Sequence, residues 1–288
     1  MSEPAVLVVG SLHVDHMVQV EQLPVPGETV IATGSWSQLG GKATNQAVAA
    51  APYARTTLAA CVGDDADGRR ATATLTGLGV LPALQVSATL ATGSSVALLD
   101  AAGENVGVVL PGANIDLQVD GVASTFRASP PQLLVCQWET AAPTLHRLLE
   151  SARQAGIPTL LNAAPWHADP AYHATLALAD HVVVNAVEAL AWIGTDPLVR
   201  ATHLPFGHSS VVVTLGGSGV LHYSDGLLTT DLFAPAVQAR STHGAGDHFV
   251  GVLAGHLALG ASLPDALRRA VASAANFVQL LHKHPSAP

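Results

Sequence analysis

The sequence predicts an α/β fold in which helices cover both faces of a mostly parallel central sheet. From Gln132 onward, short apolar strands alternate with helical segments, the order that parallel βαβ units produce. The chain also begins with a valine-rich run over residues 5–10, whose continuous apolar character is typical of a strand buried on both faces. A three-layer α/β/α arrangement is therefore expected.

Length and composition limit the possible function classes. The 288 residues suffice for one large domain or two ordinary ones, and 49% are hydrophobic while 11% are charged. The net charge is −9 and the 12 Lys and Arg residues form no basic stripe, which argues against a general nucleic-acid binder. Because apolar runs are short and the N-terminus lacks the basic segment of a signal peptide, we expect a cytoplasmic protein with no membrane partner.

The cysteines and histidines give no sign of a metal centre. Cys61 and Cys136 lie far apart within apolar runs, so we expect two buried small hydrophobic residues rather than a disulfide. The 14 histidines include no HExxH or comparable paired spacing.

The sequence predicts mainly strands and glycine-rich turns in the first third of the chain. Residues 12–20 alternate as a strand, with His13 and Asp15 on one face. Turn residues around Pro24 and Pro26 precede a second expected strand at 29–33. The remaining predictions are strands at 56–62, 133–136, 159–161, 181–184 and 210–215, a hairpin from 86–99 and 105–110, and helices at 68–78, 141–155, 186–193 and 197–207.

Polar residues follow four of the predicted strands. They are Glu139, Asn162, Asn185 with Glu188, and the segment Thr214-Leu-Gly-Gly-Ser-Gly219. Each could simply cap a helix or form a turn. Since ligands bind beyond the carboxyl ends of parallel strands, their joint placement favours one shared site.

Two glycine-containing segments each begin a helix. Gly244, Ala245 and Gly246 leave backbone N–H groups unobstructed at a helix N-terminus, which predicts an anion site beside Asp247. Asp247 by itself could be only a helix-capping residue. The segment from Gly40 to Asn45 could present donors to a small polar ligand or form an ordinary turn, and it lacks the spacing of a Walker phosphate loop.

Taken together, the motifs resemble the ribokinase-like (PfkB) carbohydrate kinase family over nearly the whole chain. The matching segments occur in family order and spacing: Gly10-Ser-Leu-His-Val-Asp15, Pro26-Gly-Glu-Thr29, Gly40-Gly-Lys-Ala-Thr-Asn-Gln-Ala47, Asn185-Ala-Val-Glu188, Thr214 to Gly219 and Gly244-Ala-Gly-Asp-His-Phe249. Gly-Gly-Lys-x-x-Asn-Gln-Ala and Gln137-Trp-Glu139 are most similar to the ribose-phosphorylating members.

The resemblance implies a single kinase domain over residues 1–288 with a small β-sheet lid, built from about residues 12–37 and 90–110. It implies ATP and Mg²⁺ as cofactors, a sugar acceptor and a homodimer formed through the lid. The implied sugar-binding residues are His13, Asp15, Gly41, Lys42, Asn45, Glu139 and Asp247. The implied catalytic residues are the base Asp247 and the anion hole of Gly244, Ala245 and Gly246. Those implied at the nucleotide and its ions are Asn185, Thr214, Gly216, Gly217, Gly219 and Gly246 for ATP, Glu188 for Mg²⁺ through water or phosphate, and Ser241 and His243 for a monovalent cation.

This chain departs from the family pattern at three places. His13 replaces an Asn of the ribose-phosphorylating members, Ser241 replaces an Asp, and residues 281–284 replace a small-residue loop with Leu-His-Lys-His. The loss of a carboxylate at Ser241 predicts weak or absent potassium activation. The alternatives to a ribose kinase are a kinase of a nucleoside or of another sugar such as fructose, and a non-catalytic sugar- or nucleotide-binding protein. Retention of Asp247 and Glu188 favours an enzyme.

Overall fold

A nine-stranded sheet forms the centre of the protein. The computed structural model describes residues 3, 5–101, 104–122, 130–238, 242 and 244–280. The strands are β1 Ala5–Val9, β2 His13–Gln19, β3 Gly34–Gly40, β4 Arg55–Gly63, β5 Val80–Ser87, β6 Gly93–Leu99, β7 Asn105–Leu110, β8 Leu133–Gln137, β9 Thr159–Asn162, β10 His181–Asn185, β11 Ser210–Thr214, β12 Val220–Ser224 and β13 Leu227–Leu232. The α-helices described over their full length are α1 Lys42–Ala50, α2 Ala66–Gly77, α3 Ala142–Gln154, α4 Pro170–Leu176, α5 Ala186–Ile193, α6 Ala245–Ala258 and α7 Leu263–Leu280.

The central sheet has the order β13-β12-β11-β10-β9-β8-β1-β4-β5. All neighbours from β11 to β5 pair in parallel, whereas β12 and β13 form an antiparallel edge. The order reverses where β1 lies between β4 and β8. Such a reversal opens a crevice beyond the strand carboxyl ends, where ligands bind in sheets of this kind. The predicted parallel α/β fold is confirmed.

Apolar side chains bury both faces of this sheet. On one face, Leu145 and Leu149 of α3 pack in a cluster with Trp138. On the other, Leu253 of α6 and Leu267 of α7 belong to a second cluster, together with α1. The strands are therefore apolar on both sides, which explains why they appear in the sequence as continuous rather than alternating runs.

The backbones of α1 and α6 approach each other closely. A Cβ placed on Gly251 of α6 would lie 2.6 Å from the Cβ of Ala49 and would overlap the carbonyl oxygen of Gln46. Glycine at position 251 is therefore needed for the two helices to pack at this distance. The contact holds the first turn of α6 beside α1.

A second, four-stranded sheet has the order β3-β2-β6-β7 and contains one parallel pair, β2 with β6. Side chains at its junction with the central sheet make several backbone contacts. Asn114 accepts from Leu12 N and donates to Leu12 O, both at 2.9 Å. Asp65, the N-cap of α2, also accepts from the backbone and hydroxyl of Thr92, each at 2.7 Å. The assignment of one domain with a lid stays a prediction.

Several local predictions are wrong. Residues 29–33 form no strand; the partner of β2 is β3, whose polar alternation around Trp36 resembles a turn in the sequence. Residues 197–207 are not an α-helix, since only Pro197–Val199 forms a 3₁₀ turn before Arg200 adopts a left-handed φ of 49°. The predicted hairpin is present as β6 and β7, but Val86 and Ser87 belong to β5 of the central sheet.

Both cysteines are buried and unpaired, as predicted. Within the described residues, none of the helices combines the length and hydrophobicity that crossing a membrane requires.

Candidate active site

A cleft of about 150 Å³ lies beyond the carboxyl ends of β9, β10 and β11 and against the N-terminus of α6. Its walls combine polar strand ends with the first turn of that helix. Its lining residues are Lys42, Asn162, Ala164, Val183, Val184, Asn185, Glu188, Thr214, Gly244, Gly246, Asp247 and Val250. The predicted convergence of strand-end polar residues on one site is therefore found for Asn162, Asn185, Glu188 and Thr214.

The first turn of α6 brings backbone donors and a carboxylate to the cleft. Gly244 is the N-cap with a φ of 72°, a conformation that glycine adopts without strain. Within the described part of the chain no side chain caps this helix, so its first backbone N–H groups could bind an anion. Asp247 lies in this first turn and faces the same cleft.

Two side chains of α1 contact the Asp247 carboxylate. Gln46 Nε2 donates to Oδ1 at 3.0 Å, and Asn45 Nδ2 approaches Oδ2 at 3.4 Å. Burial raises the pKa of Asp247, while the positive charge of Lys42 and the donor of Gln46 act in the opposite direction. The net effect is a pKa above the usual range for aspartate.

Glu139 is held at the start of α1. Its Oε2 accepts from the Ser11 hydroxyl and, at 3.0 Å, from the backbone N–H of Lys42. Gly41 precedes that N–H with a φ of 92°, and a Cβ there would lie 2.8 Å from Ser11 O. Only glycine therefore lets the chain turn into α1 at this point while Glu139 binds the helix start.

The small sheet contributes His13 and Asp15 from β2, both of which are buried. Ser95 of β6 donates to Asp15 Oδ1 at 2.5 Å. The His13 ring fits beside Gly93, where a Cβ would lie 2.7 Å from His13 Cδ2. The bulk of histidine at position 13 is thus accommodated by glycine at position 93.

Asn185 and Glu188 form a reciprocal capping box at the start of α5. Glu188 N donates to Asn185 Oδ1 at 2.8 Å, and Asn185 N donates to Glu188 Oε2 at 2.7 Å. Burial raises the pKa of Glu188, and the carboxylate of Asp247 acts in the same direction while Lys42 opposes it. A carboxylate beside an anion site suits Mg²⁺, which binds one or two carboxylates together with water and phosphate. The described residues contain no cluster of three or more His, Cys, Asp or Glu able to hold a metal without such additional ligands.

A glycine loop follows β11 on the outer side of the cleft. Thr214 ends the strand and Gly216–Ser218 forms a 3₁₀ turn. Gly217 is exposed, and Gly219, with a φ of 101°, packs so tightly that a Cβ would overlap Leu232 O. Arg200 supports the loop by donating to Ser218 O at 2.5 Å.

Most of the predicted site residues thus form three connected groups, whereas Gly216, Gly217 and Gly219 of the glycine loop are not among the residues that line the cleft. One is the cleft around Asp247, with Gly244 to Gly246, Asn185, Glu188 and Thr214. A second is the start of α1, with Gly41, Lys42, Asn45 and Glu139. The third is β2 of the small sheet. Ser241, His243 and residues 281–284 lie outside the described residues.

The sequence reasoning missed several residues that orient the site. Ser11, Gln46 and Gln137 occur within motifs that were noted for other residues, and Ser95 shows no signal of its own. Gln46 could have been noticed as a large polar side chain at a helix position between buried alanines. Its partners belong to distant segments, so only the tertiary structure reveals them.

Known proteins are similar to this chain in sequence and in architecture. A ribokinase of Mus musculus is 31% identical over 299 residues, covering 99% of this chain and 92% of the mouse protein. A deoxyribokinase of Salmonella typhi is 30% identical over 287 residues, covering 94% of this chain and 91% of that protein. The solved structure of Arabidopsis thaliana ribokinase complexed with ribose and ATP has a TM-score of 0.82 and 26% identity, covering 97% of this chain and 94% of that chain.

The family profile described as pfkB family carbohydrate kinase matches residues 4–283, almost the full length. This match agrees with the architecture of the chain, a large mostly parallel sheet with a small second sheet, which it shares with the solved ribokinases of Arabidopsis thaliana and Thermotoga maritima. The chain therefore belongs to the pfkB family of carbohydrate kinases, phosphotransferases with an alcohol acceptor.

Proposed function

We propose that this enzyme is an ATP-dependent ribokinase, which transfers the γ-phosphoryl group of ATP to D-ribose and forms ribose 5-phosphate. The observation that carries the proposal is the position of Asp247, which lies at an uncapped helix N-terminus and also contacts α1 through Asn45 and Gln46. In that position Asp247 would act as a base between a site for phosphate and a set of polar groups suited to a sugar. The mouse and Arabidopsis ribokinases support ribose as the acceptor.

The sugar would bind between the small sheet and α1. Asp15 and Glu139 offer carboxylate oxygens to sugar hydroxyls, while Lys42 and Asn45 offer donors. Gly41 permits close approach of the backbone, and His13 limits the space at the other side. Because most of these groups are already held by protein hydrogen bonds, little side-chain ordering would be needed on binding.

In the reaction, Asp247 would take the proton of the attacking hydroxyl. A sugar hydroxyl is a weak acid, so a carboxylate at hydrogen-bond distance lowers the barrier as the oxygen–phosphorus bond forms. The bond between the γ-phosphorus and its bridging oxygen breaks, and its electron pair leaves with ADP. The N–H groups of Gly244, Ala245 and Gly246 would stabilise the charge on the transferring group.

The remaining site residues would serve ATP and its metal. Thr214 and the glycines at 216, 217 and 219 would line the nucleotide side, with Asn185 near the phosphates. Glu188 would hold Mg²⁺ through water or phosphate oxygens. When bound, Mg²⁺ neutralises phosphate charge and orients the phosphates for transfer.

A second candidate acceptor is 2-deoxyribose. The Salmonella deoxyribokinase is 30% identical, nearly the same as the 31% of the mouse ribokinase, so overall similarity does not separate the two sugars. His13 is relevant to the choice between the two sugars because it lies two residues from Asp15 on the same face of β2, beside the proposed sugar site.

The direct test is a coupled assay of ADP formation with ribose, 2-deoxyribose, fructose and nucleosides, on the parent protein and on Asp247→Asn. We expect ribose to give the highest kcat/KM and the variant to lose about 100-fold or more in kcat while still binding sugar by calorimetry. Asp265→Asn is the matched control, since Asp265 also lies in the first turn of a helix but at the surface. Turnover of Asp247→Asn within about tenfold of the parent would refute the base assignment. Phosphorylation of no acceptor by the parent would favour a non-catalytic binding protein.

We further propose that the small sheet mediates a homodimer. The edge strand β7 pairs only with β6 in the described residues and exposes Val106, Val108, Val109 and Leu110 by 50% or more. An apolar unpaired edge favours association with another strand. Sedimentation of Val108→Lys against the parent tests this, with a monomeric parent contradicting the proposal.

A further inference from the structure

Gln46 occupies a central place in a buried chain of amide side chains behind the catalytic cleft. Its Nε2 donates to Asp247 Oδ1 and to Asn162 Oδ1, each at 3.0 Å, while its Oε1 accepts from Gln137 Nε2 at 2.6 Å. Gln46 and Gln137 are fully buried, with an exposed fraction of 0%. Neither lines the cleft.

The hydrogen-bond inventory fixes the orientation of this amide. An amide nitrogen has two protons, and both are used on oxygen atoms that can only accept from it. Turning the Gln46 amide over would place Oε1 against the Asp247 and Asn162 oxygens and would remove the acceptor of Gln137. Asn162 is fixed in turn, because its Nδ2 donates to Val183 O at 3.2 Å.

The two oxygens of Asp247 consequently differ. Oδ1 accepts a well-formed hydrogen bond from Gln46, whereas Oδ2 has only the longer 3.4 Å approach of Asn45. Oδ1 is therefore engaged by the protein and Oδ2 retains its capacity to accept. Free rotation of the carboxylate would exchange them, and the donor of Gln46 opposes that rotation.

We infer that Gln46 is a positioning residue of the kinase reaction, whose amide holds Oδ1 of Asp247 so that Oδ2 takes the proton of the acceptor hydroxyl. Asn162 and Gln137 keep the Gln46 amide in the required orientation. The inference rests on the proposed role of Asp247 as base. It assigns the proton to one oxygen of the Asp247 carboxylate. It also gives Gln46, a buried residue of α1, a role in catalysis that it performs without touching the substrate.

The same hydrogen bond favours the ionised form of Asp247, which a general base must have. Burial raises the pKa of Asp247, Lys42 and the donors of Gln46 and Asn45 oppose this rise, and Glu139 adds to it. Glu188 of α5 lines the same cleft and is a further carboxylate that interacts with Asp247. Loss of the Gln46 donor therefore moves the acidic limb of the rate profile to higher pH. A hydrogen bond to a charged group contributes enough to shift this limb by about one pH unit.

Two substitutions at one position test the inference by steady-state kinetics at saturating ATP and Mg²⁺. Gln46→Met removes both donors with similar bulk, and Gln46→Glu keeps the shape but puts a second carboxylate beside Asp247. We expect kcat to fall about tenfold or more in both, with the sugar KM changed less than about threefold. The acidic limb of the kcat/KM profile should move to higher pH, by about one unit in Gln46→Met and by more in Gln46→Glu.

Gln85→Met is the matched control, because Gln85 forms a similar amide contact with the Gln118 backbone far from the cleft. A merely structural role for Gln46 would lower kcat at every pH without moving the limb, and a folded variant with the parent's limb would overturn the inference. If Gln46→Met proves unstable, Gln137→Met should give a smaller shift in the same direction. If Asp247→Asn stays active, the proposal that Asp247 is the base fails. If Asp247→Asn is inactive and the acidic limb of the Gln46 variants matches that of the parent, only the role of Gln46 fails.

Discussion

The carboxylate of Asp15 lies directly against the Cα of Gly40, and a Cβ on residue 40 would overlap Asp15 Oδ2. The neighbouring strands β2 and β3 can therefore hold this carboxylate in place only with glycine at that position. The contact leads to a prediction that separates sugar affinity from catalysis.

Gly40→Ala should displace the Asp15 side chain and raise the sugar KM by about tenfold, while kcat changes little because Asp247 is not moved. Gly34→Ala is the matched control in the same strand, since a Cβ there would make an ordinary contact 3.5 Å from Gln19 Oε1. Steady-state kinetics against sugar concentration measure both. Equal KM values for the two variants would contradict the proposed role of Asp15.

Asp65→Ala should destabilise the junction between the two sheets, because Asp65 caps α2 and binds Thr92 at once. The loss of a helix N-cap costs about 1 kcal/mol, and the Thr92 contacts add to it. Although burial alone would raise the pKa of Asp65, donors from Gly68 and Thr92 outweigh it and lower the pKa. Its stabilisation is thus present above about pH 4 and is lost as the pH falls through its folded value. Urea titrations of parent and variant should converge in acid; a constant difference would contradict this.

His222→Gln should reduce the acid sensitivity of folding. Ser210 Oγ lies 2.8 Å from His181 Nδ1 and 2.9 Å from His222 Nε2, so one hydroxyl serves a half-buried and a buried imidazole. Burial and the neighbouring His181 lower the pKa of His222 to about 4. Between that value and the unfolded pKa of about 6.5, the unfolded chain binds the additional proton, so stability falls as the pH falls. The slope of the unfolding free energy over this range should decrease by up to about 1.4 kcal/mol per pH unit, and an unchanged slope would count against the shifted pKa.

Catalysis should depend weakly or not at all on potassium. The family carboxylate is replaced by Ser241, whose hydroxyl cannot offset the loss of the ion's hydration as well as a charge can. The measurement is the initial rate at saturating substrates with potassium exchanged for tetramethylammonium at constant ionic strength. Ser241→Asp alone should not create full dependence, because residues 281–284 also differ. A rise of about tenfold or more on adding potassium would show that the cation site is retained.

The architecture was largely predictable because the valine-rich strands and their polar ends carry strong local signals. Strands β8 to β11 appear in the sequence as apolar runs, and Asn162 and Asn185 end two of them. Strand β3 was missed because Trp36 alternates with serines and follows Gly34, a composition that resembles a turn. Its pairing with β2 supplies the stability that local propensity does not.

Several residues that line the cleft could be singled out from the sequence, but their contacts with one another could not. Motif spacing pointed to Asp247 and Lys42, because a carboxylate can act as a base and an ammonium group can donate to a sugar. The buried chain of amide side chains around Gln46 joins α1, β8, β9 and α6, segments up to 201 residues apart in the chain. No local pattern encodes which of several polar residues will meet across such distances.

The close packing of α1 on α6 at Gly251 has a consequence for how acceptor preference can change. Asn45 and Asp247 belong to two helices whose backbones touch, whereas His13 and Asp15 belong to a separate sheet. Substitutions in that sheet could therefore reshape the proposed acceptor site without disturbing the alignment of the proposed base. Selection for a new sugar can act on one part of the protein while the phosphoryl-transfer apparatus is inherited intact.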